Sequence, residues 1–484
     1  MSKISTSREV RTKLGKIKGV SENGVNTFLG VPYASHLGND ERFQQARPIE
    51  PWSGVLDAKK SGPISPQLSS RLSRVMGDFM LPHDENSLTL DIWCPDIGQK
   101  EIPVLFWIHG GAFISGAGSL EWYRGTLFAK HQNVIVIGVN YRLGALGFLC
   151  HPDISSGNIG IEDQMLALEW VYSNIEYFGG DRKNITLMGQ SAGAISVYAL
   201  LANKRASKMV SNAILQSGRY DNFEELEVAH KKTERFADIA GVEVKALKTL
   251  PLDQILNVQT KFAKTQAEFA SSAIPFLPVI DQHTIRSEVH EDFLEGARGK
   301  NIILGFTRDE MHAWFSGIDE IEKASLEQIE LVFKREFTND WHVILDECRK
   351  RRSGASAMEI ISMGMNISNF EGHTVNLAKR LSSVDTNTWL YRFDWSSPES
   401  IFGACHCIEL PFIFGTASQW SPPMLSGGRA TEIAGLSKII QDTWGVFARE
   451  GNPNNSNLPS WPKIRENDFN KICWNNFIEV TNLI

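Results

Sequence analysis

Cysteine is scarce in this 484-residue chain, with six in all: Cys94, Cys150, Cys348, Cys405, Cys407 and Cys473. Their spacing makes no disulfide scaffold, which points to a reducing, cytoplasmic compartment. Long hydrophobic runs are missing too, since no apolar stretch reaches the roughly 18 residues that a membrane helix needs. The polar, basic segment 1–19 lacks the apolar core of a secretory leader. Positive charge is not in excess: 49 Lys and Arg stand against 56 Asp and Glu, for a formal net charge of -7. No basic run interrupts that mild acidity, so neither nucleic acid nor an anionic membrane surface is an expected partner. Internal repeats, low-complexity tracts and a linker long enough to divide the chain are also absent, and one domain over residues 1–484 is expected.

What is present is ordinary for a globular protein, at 42% hydrophobic and 22% charged residues. Residues 27–34 and 87–94 read as short strands. Residues 102–109 and 133–142 are dense in β-branched and aromatic side chains, as strands buried on both faces should be. Further strands are expected at 184–189, 209–216, 301–306 and 388–395, with a helix over 163–178. Strands separated by helical stretches predict an α/β fold, with a mostly parallel central sheet and helices on both faces. Two charged segments, 222–270 and 318–381, are helical in pattern and poor in strands, and are expected as insertions over one end of the sheet. Residues 61–86 are polar and turn-rich, and read as a surface excursion, a flap over a site.

The chemistry starts at Gly189-Gln190-Ser191-Ala192-Gly193. An apolar strand leads in and a helical run leads out, which is the setting that makes G-x-S-x-G a nucleophile elbow. Glycines two residues either side let strand and helix approach, and the serine hydroxyl is pushed out at a helix N-terminus, where unpaired N–H groups favour negative charge. A serine hydroxyl is a weak nucleophile and needs a histidine base oriented by a carboxylate. In the chain order that accompanies this elbow the acid and then the histidine follow the serine. Five of the twelve histidines precede Ser191, and His230, His283 and His290 leave little room for an intervening acid. His342 and His373 fall in the second helical insertion, and His312 is two residues from Glu310. His406, in a loop after the last strong strand, is the candidate base. The acid should follow a strand between the two, and residues 301–306 run into Asp309 and Glu310. Spacing does not separate these two acids.

Donors for an oxyanion are also needed, and the strand ending near Ile108 runs into His109-Gly110-Gly111-Ala112-Phe113. Glycines there let backbone N–H groups approach a ligand closely. The glycine-rich stretch 110–118 lacks the lysine of a phosphate-binding loop and the G-x-G-x-x-G spacing. Cys405, His406 and Cys407 are adjacent in one loop without a second cluster, so no metal site is expected. No cofactor is expected either.

Together these pieces resemble the type-B carboxylesterases, the α/β-hydrolase family that includes the cholinesterases, most closely the bacterial p-nitrobenzyl-esterase type. The similarity covers nearly the whole chain, through residues 30–34, 106–113, 139–144, 158–164, 178–181, 189–193, 215–218, 277–281, 305–310, 406–415 and 444–453. The resemblance implies an α/β-hydrolase fold and places the acid on Glu310. It also implies oxyanion donors at the backbone N–H groups of Gly111, Ala112 and Ala192, and ion pairs Arg42 with Glu85 and Arg142 with Asp163. Ser217 is similar to a serine that supports the acid. Three departures stand out. Glu85-Asn86-Ser87 replaces the family's Glu-Asp-Cys, so the early disulfide of secreted members cannot form. The loop 61–86 has no tryptophan where cholinesterases place a choline-stacking one. Met311 stands where glycine follows the acid, which is expected to alter the site wall.

The expected function is a serine carboxylic-ester hydrolase working through an acyl-enzyme on small to medium, apolar esters. Many relatives carry glutamate where this chain has Gln190, so neutral esters are expected over cationic ones. Phe113 and Phe315 flank the motifs and are candidates to line an apolar pocket, along with Trp314, Leu410 and Phe412. An amide or carbamate hydrolase with the same triad, a non-catalytic binding protein, and an acyl-sequestering protein with slow deacylation are the competing readings. Matched ester and amide substrates, the presence of the nucleophile, and burst kinetics discriminate them in turn.

Overall fold

The computed structural model describes residues 5–38, 41–95, 98–466 and 468–482; the first four residues of the segment read for a leader lie outside the described residues. In chain order the strands are β1 (Ser5–Arg11), β2 (Lys16–Glu22), β3 (Val25–Pro32), β4 (Val55–Asp57), β5 (Thr89–Cys94), β6 (Ile102–Ile108), β7 (Ile135–Val139) and β8 (Gly180–Gln190). They continue as β9 (Asn212–Gln216), β10 (Glu224–Glu225), β11 (Val279–Ile280), β12 (Asn301–Thr307), β13 (Asn387–Phe393), β14 (Asn470–Trp474) and β15 (Glu479–Asn482). The main sheet runs β1-β2-β3-β5-β7-β6-β8-β9-β12-β13-β14-β15, with β4 beside β2. From β7 to β14 every neighbouring pair is parallel. The flanks, β1 to β7 on one side and β14 with β15 on the other, are antiparallel.

The central strands are buried on both faces, and alternate residues feed two cores. Ile102, Val104, Phe106 and Ile108 of β6 join the core on one side of the sheet, while Leu105 and Trp107 join the other. Leu304 and Ile303 of β12 divide the same way. This is the period of two expected of a pleated strand between helical layers.

The two insertions are helical. The first holds helices Leu226–Ala240 and Leu252–Thr265. The second holds helices Leu326–Phe337, Trp341–Arg351, Ala357–Asn366 and Gly372–Ser382, the last two joined through a π-helical turn at Ile367–Glu371. Capping boxes at Ser325 and Ser356 start two of these helices. Their apolar faces make a separate small core around Ile329, Phe333, Met358 and Ile361.

The segment 61–86 is no mere surface excursion. Ile64, Ser65, Gln67 and Val75 are buried. The Gln67 amide clamps the glycine loop, with its Nε2 donating to the Gly116 carbonyl (2.9 Å) and its Oε1 accepting from the Gly116 N–H (2.6 Å). Its polar residues satisfy buried backbone groups, which composition alone does not reveal.

Candidate active site

The carboxyl ends of β6, β8, β9, β12 and β13 open on one edge of the sheet, and each is followed by a loop that carries a candidate residue. After β8 the chain turns through Ser191 at φ 59°, ψ -124° into the helix Ala192–Ala202. That conformation is strained for a residue with a Cβ, at about 1–3 kcal/mol, and the surroundings must enforce it. The close approach that does so needs glycine at both ends of the motif. A Cβ on Gly189 would lie 2.3 Å from the Gly193 carbonyl oxygen, and one on Gly193 would lie 2.1 Å from that of Ile108.

His406 and Glu310 meet from two different loops. His406 Nδ1 donates to Glu310 Oε2 at 2.5 Å, with both side chains buried. The other carboxylate oxygen, Oε1, accepts from the Thr307 N–H at 2.7 Å, and the His406 N–H donates to the Glu310 carbonyl at 3.2 Å. Asp309 does something else. It pairs with Arg308 (2.8 Å) and accepts from the Ala404 N–H (2.9 Å), anchoring the loop that presents His406. Trp314 and Phe370 flank the His406 ring, with centroids 4.9 and 5.0 Å away.

Nε2 of His406 faces Gln190, whose side-chain nitrogen lies 3.1 Å away. The Cys407 thiol donates to Gln190 Oε1 at 3.5 Å, so the amide turns its N–H group toward the ring. With Nδ1 protonated toward Glu310, Nε2 is the acceptor, and in this state Gln190 occupies the lone pair. Gln190 therefore touches the candidate base directly.

Gly111 (φ 104°) and Ala112 (φ 55°) form a strained turn beneath the cleft. The N–H groups of Gly111, Ala112 and Ala192 donate to no other described residue, and all three residues line the cleft around Ser191. The turn is held from below: His109 Nδ1 donates to the Gly110 carbonyl (2.7 Å), and the Tyr141 hydroxyl donates to the His109 carbonyl (2.9 Å). Burial pushes His109 down to about 4, so its ring is neutral and structural. Within the field of Glu310 sits a second buried acid, Glu409, pushed up to about 8 by burial first and then by the charge of Glu310. One of its oxygens accepts from the Gln216 amide at 3.5 Å.

The cleft brings Ser191, His406, Gly111, Ala112 and Ala192 together along one opening. Ser70, Leu72, Met76 and Phe79 of the 61–86 segment wall one side. Trp122, Tyr123, Trp314 and Phe370 supply aromatic walls from other segments, so the lack of tryptophan in 61–86 does not leave the cleft without rings. Phe370 comes from the π-helical turn, the irregularity that such functional walls often use. Phe113 and Phe315 do not line the cleft. Phe113 packs on Phe148 (4.8 Å) in the core, and Phe315 is buried beneath the second insertion. Leu410 and Phe412 are likewise core residues. Met311 does not itself line the cleft; it is buried in the same small core as the wall residues Trp314 and Phe370. Ser217 lines the cleft, but its hydroxyl is buried without a partner, and the Thr307 N–H supports Glu310 in its place. The Arg42–Glu85 and Arg142–Asp163 pairs both form, each bidentate, the second fully buried.

A serine raised on a strained strand-to-helix turn, over a parallel sheet whose neighbouring loops bring it a histidine and a buried carboxylate, defines an α/β-hydrolase. The model of the carboxylesterase family matches residues 6–476, and the chain belongs to that family. It is 32% identical to phenmedipham hydrolase of Pseudarthrobacter oxydans, over 94% of this chain and 93% of that protein. It is 32% identical to para-nitrobenzyl esterase of Bacillus subtilis (strain 168), over 99% of this chain and 96% of that protein. A solved structure named PNB esterase superposes with a TM-score of 0.88 at 32% identity, covering 99% of this chain and 97% of that one. The protein is a carboxylic-ester hydrolase. Among the described residues, no helix is long and apolar enough to cross a membrane.

Proposed function

We propose that Ser191 is the nucleophile of an acyl-enzyme mechanism on carboxylic esters, with His406 as base and then acid and Glu310 as its orienting carboxylate. The observation that carries this is the His406–Glu310 pair at 2.5 Å, wholly buried beside the strained Ser191 turn. In the reactive arrangement Gln190 releases Nε2, and the Ser191 hydroxyl takes its place. His406 accepts the serine proton as Oγ attacks the ester carbonyl. The N–H groups of Gly111, Ala112 and Ala192 receive the oxyanion, and Glu310 stabilises the imidazolium. His406 then protonates the departing alcohol, and later takes a proton from water as that water attacks the acyl carbonyl.

Substrates of this site are small to medium esters with an apolar body, supported by the aromatic walls of the cleft. Carbamate hydrolysis by the same groups is a second reading, supported by the relative named phenmedipham hydrolase. Residues 1–484 act as one domain, a reading supported by a sheet whose strands run from Ser5 to Asn482. A cytoplasmic setting is proposed from the absence of any disulfide among the described residues.

Ser191→Ala tests the assignment. It should lower kcat for p-nitrophenyl acetate by on the order of 10⁶, while the far-ultraviolet circular dichroism stays unchanged. Near-normal turnover would sink the assignment.

A further inference from the structure

Two guanidinium groups, those of Arg71 and Arg219, line the cleft around Ser191, and no Asp or Glu does. Arg219 follows the end of β9, two residues past Ser217. Its guanidinium makes no hydrogen bond and no ion pair with a described residue, and its Nε is buried without a partner. The carboxylates whose charge it feels are Glu336 and Asp221. Both are engaged elsewhere: Glu336 with Arg335 (2.9 Å) and Ser368 (2.8 Å), and Asp221 with His373 (2.8 Å). Burial pulls Arg219 below the ordinary arginine range, the mark of a charge short of solvent and partners. Arg71 stands exposed at the rim, in the 61–86 segment. It donates to the Ala273 carbonyl at 2.7 Å and has no ion pair.

A cation this poorly paired, in a cleft whose lining holds no carboxylate, is costly unless something brings it a counter-charge. Ile195, Ile274 and Phe370 line the same cleft and offer it nothing.

We propose that this cleft takes esters carrying a carboxylate on one of their two halves, with Arg219 as the partner of that carboxylate and Arg71 drawing it in from the rim. The inference rests on the reading of Ser191 as nucleophile and names the substrate class of that site. The planar guanidinium presents paired N–H donors that match a carboxylate, and the bond is strongest where water is scarce. The apolar walls fit the carbon chain between the ester and the anion. Gln190 agrees with this, since a glutamate there would repel such a substrate. The expectation of neutral over cationic esters is thereby revised: cations stay disfavoured, but anionic esters are preferred over neutral ones.

The test is the ratio of kcat/KM for an anionic ester to that for a neutral partner of equal length, each corrected for its hydroxide-catalysed rate. In one arm the charge is on the acyl side, with p-nitrophenyl hemiglutarate against p-nitrophenyl valerate. In the other it is on the alcohol side, with 4-acetoxybenzoate against phenyl acetate. The full chain should favour the anion by about tenfold or more in one arm, and about 0.5 M salt should lower that ratio. Arg219→Met should lower it by about 10–100-fold, with Arg219→Lys between the two. A preference for the neutral ester in both arms, or a ratio that Arg219→Met moves by less than about twofold, overturns the proposal. If Arg219→Met does not fold, the unmodified chain decides: a ratio indifferent to salt also overturns it. Turnover of the neutral esters with a flat ratio removes only the anion site, whereas no turnover of any ester counts against Ser191 itself.

Discussion

Asp309 and Glu310 are adjacent acids with opposite surroundings, and the difference decides which of them can act on His406. Glu310 is sealed from solvent and spends its oxygens on the histidine ring and one backbone N–H. Asp309 spends its oxygens on Arg308 and on the backbone of Ala404. Glu310→Gln removes the charge that favours imidazolium, and should cut kcat by about 10³–10⁴. Asp309→Asn keeps an acceptor for the Ala404 N–H and should stay within about tenfold of the parent, a smaller loss of loop order. Steady-state kinetics of the two variants check this, and the reverse ranking would move the acid by one residue. Sequence spacing could not separate the pair because both follow the same strand. Arg219 and the contact of Gln190 with His406 were also beyond it, since each depends on where a side chain turns after the strand has ended. Arg219 did leave one signal: it lies just outside the carboxyl end of a parallel strand, where ligands gather.

Strand, turn and helix at the elbow form one device, and its tolerance is set by backbone rather than side chains. The nearest obstacle to a Cβ on Gly193 is the Ile108 carbonyl at the end of β6, which cannot rotate away. Gly193→Ala should therefore destabilise the protein by roughly 3 kcal/mol or more, read as a lower urea midpoint and a poor soluble yield. A parent-like midpoint would mean that β6 and the helix can separate without penalty. The central strands were legible because burial on both faces demands unbroken apolar runs. The β1–β2 hairpin was not, because its residues are charged and half-exposed, as an edge of a sheet often is. The π-helical turn carries no local marker at all, and the aromatic it delivers to the cleft was missed with it.

At the scale of the whole molecule, a sheet with seven parallel central strands gathers loops distant in sequence at one edge, and the buried acids at that edge tie stability to pH. Unfolded Glu409 ionises near the ordinary value of 4.5, and folded Glu409 near 8. Between those values the folded chain holds a proton that the unfolded chain has released. Its contribution is complete below about 4.5 and declines as pH rises toward 8. Glu409→Gln removes that decline, so the stability of the variant relative to the parent should increase from about pH 5 to pH 8, by a few kcal/mol at most. Thermal melts at both pH values check it, and a difference that is flat with pH would contradict the buried, protonated state. The motif order made the architecture legible, because so many buried glycines and ion pairs are met in sequence along one path. The claim that everything else depends on is that Ser191 carries the acyl group. The direct measurement is peptide-level mass spectrometry after reaction with a fluorophosphonate. A single adduct on Ser191, formed in step with loss of esterase activity and absent when Glu310→Gln disables the triad, is the predicted result; an adduct on another residue, or full inactivation without one on Ser191, would contradict it.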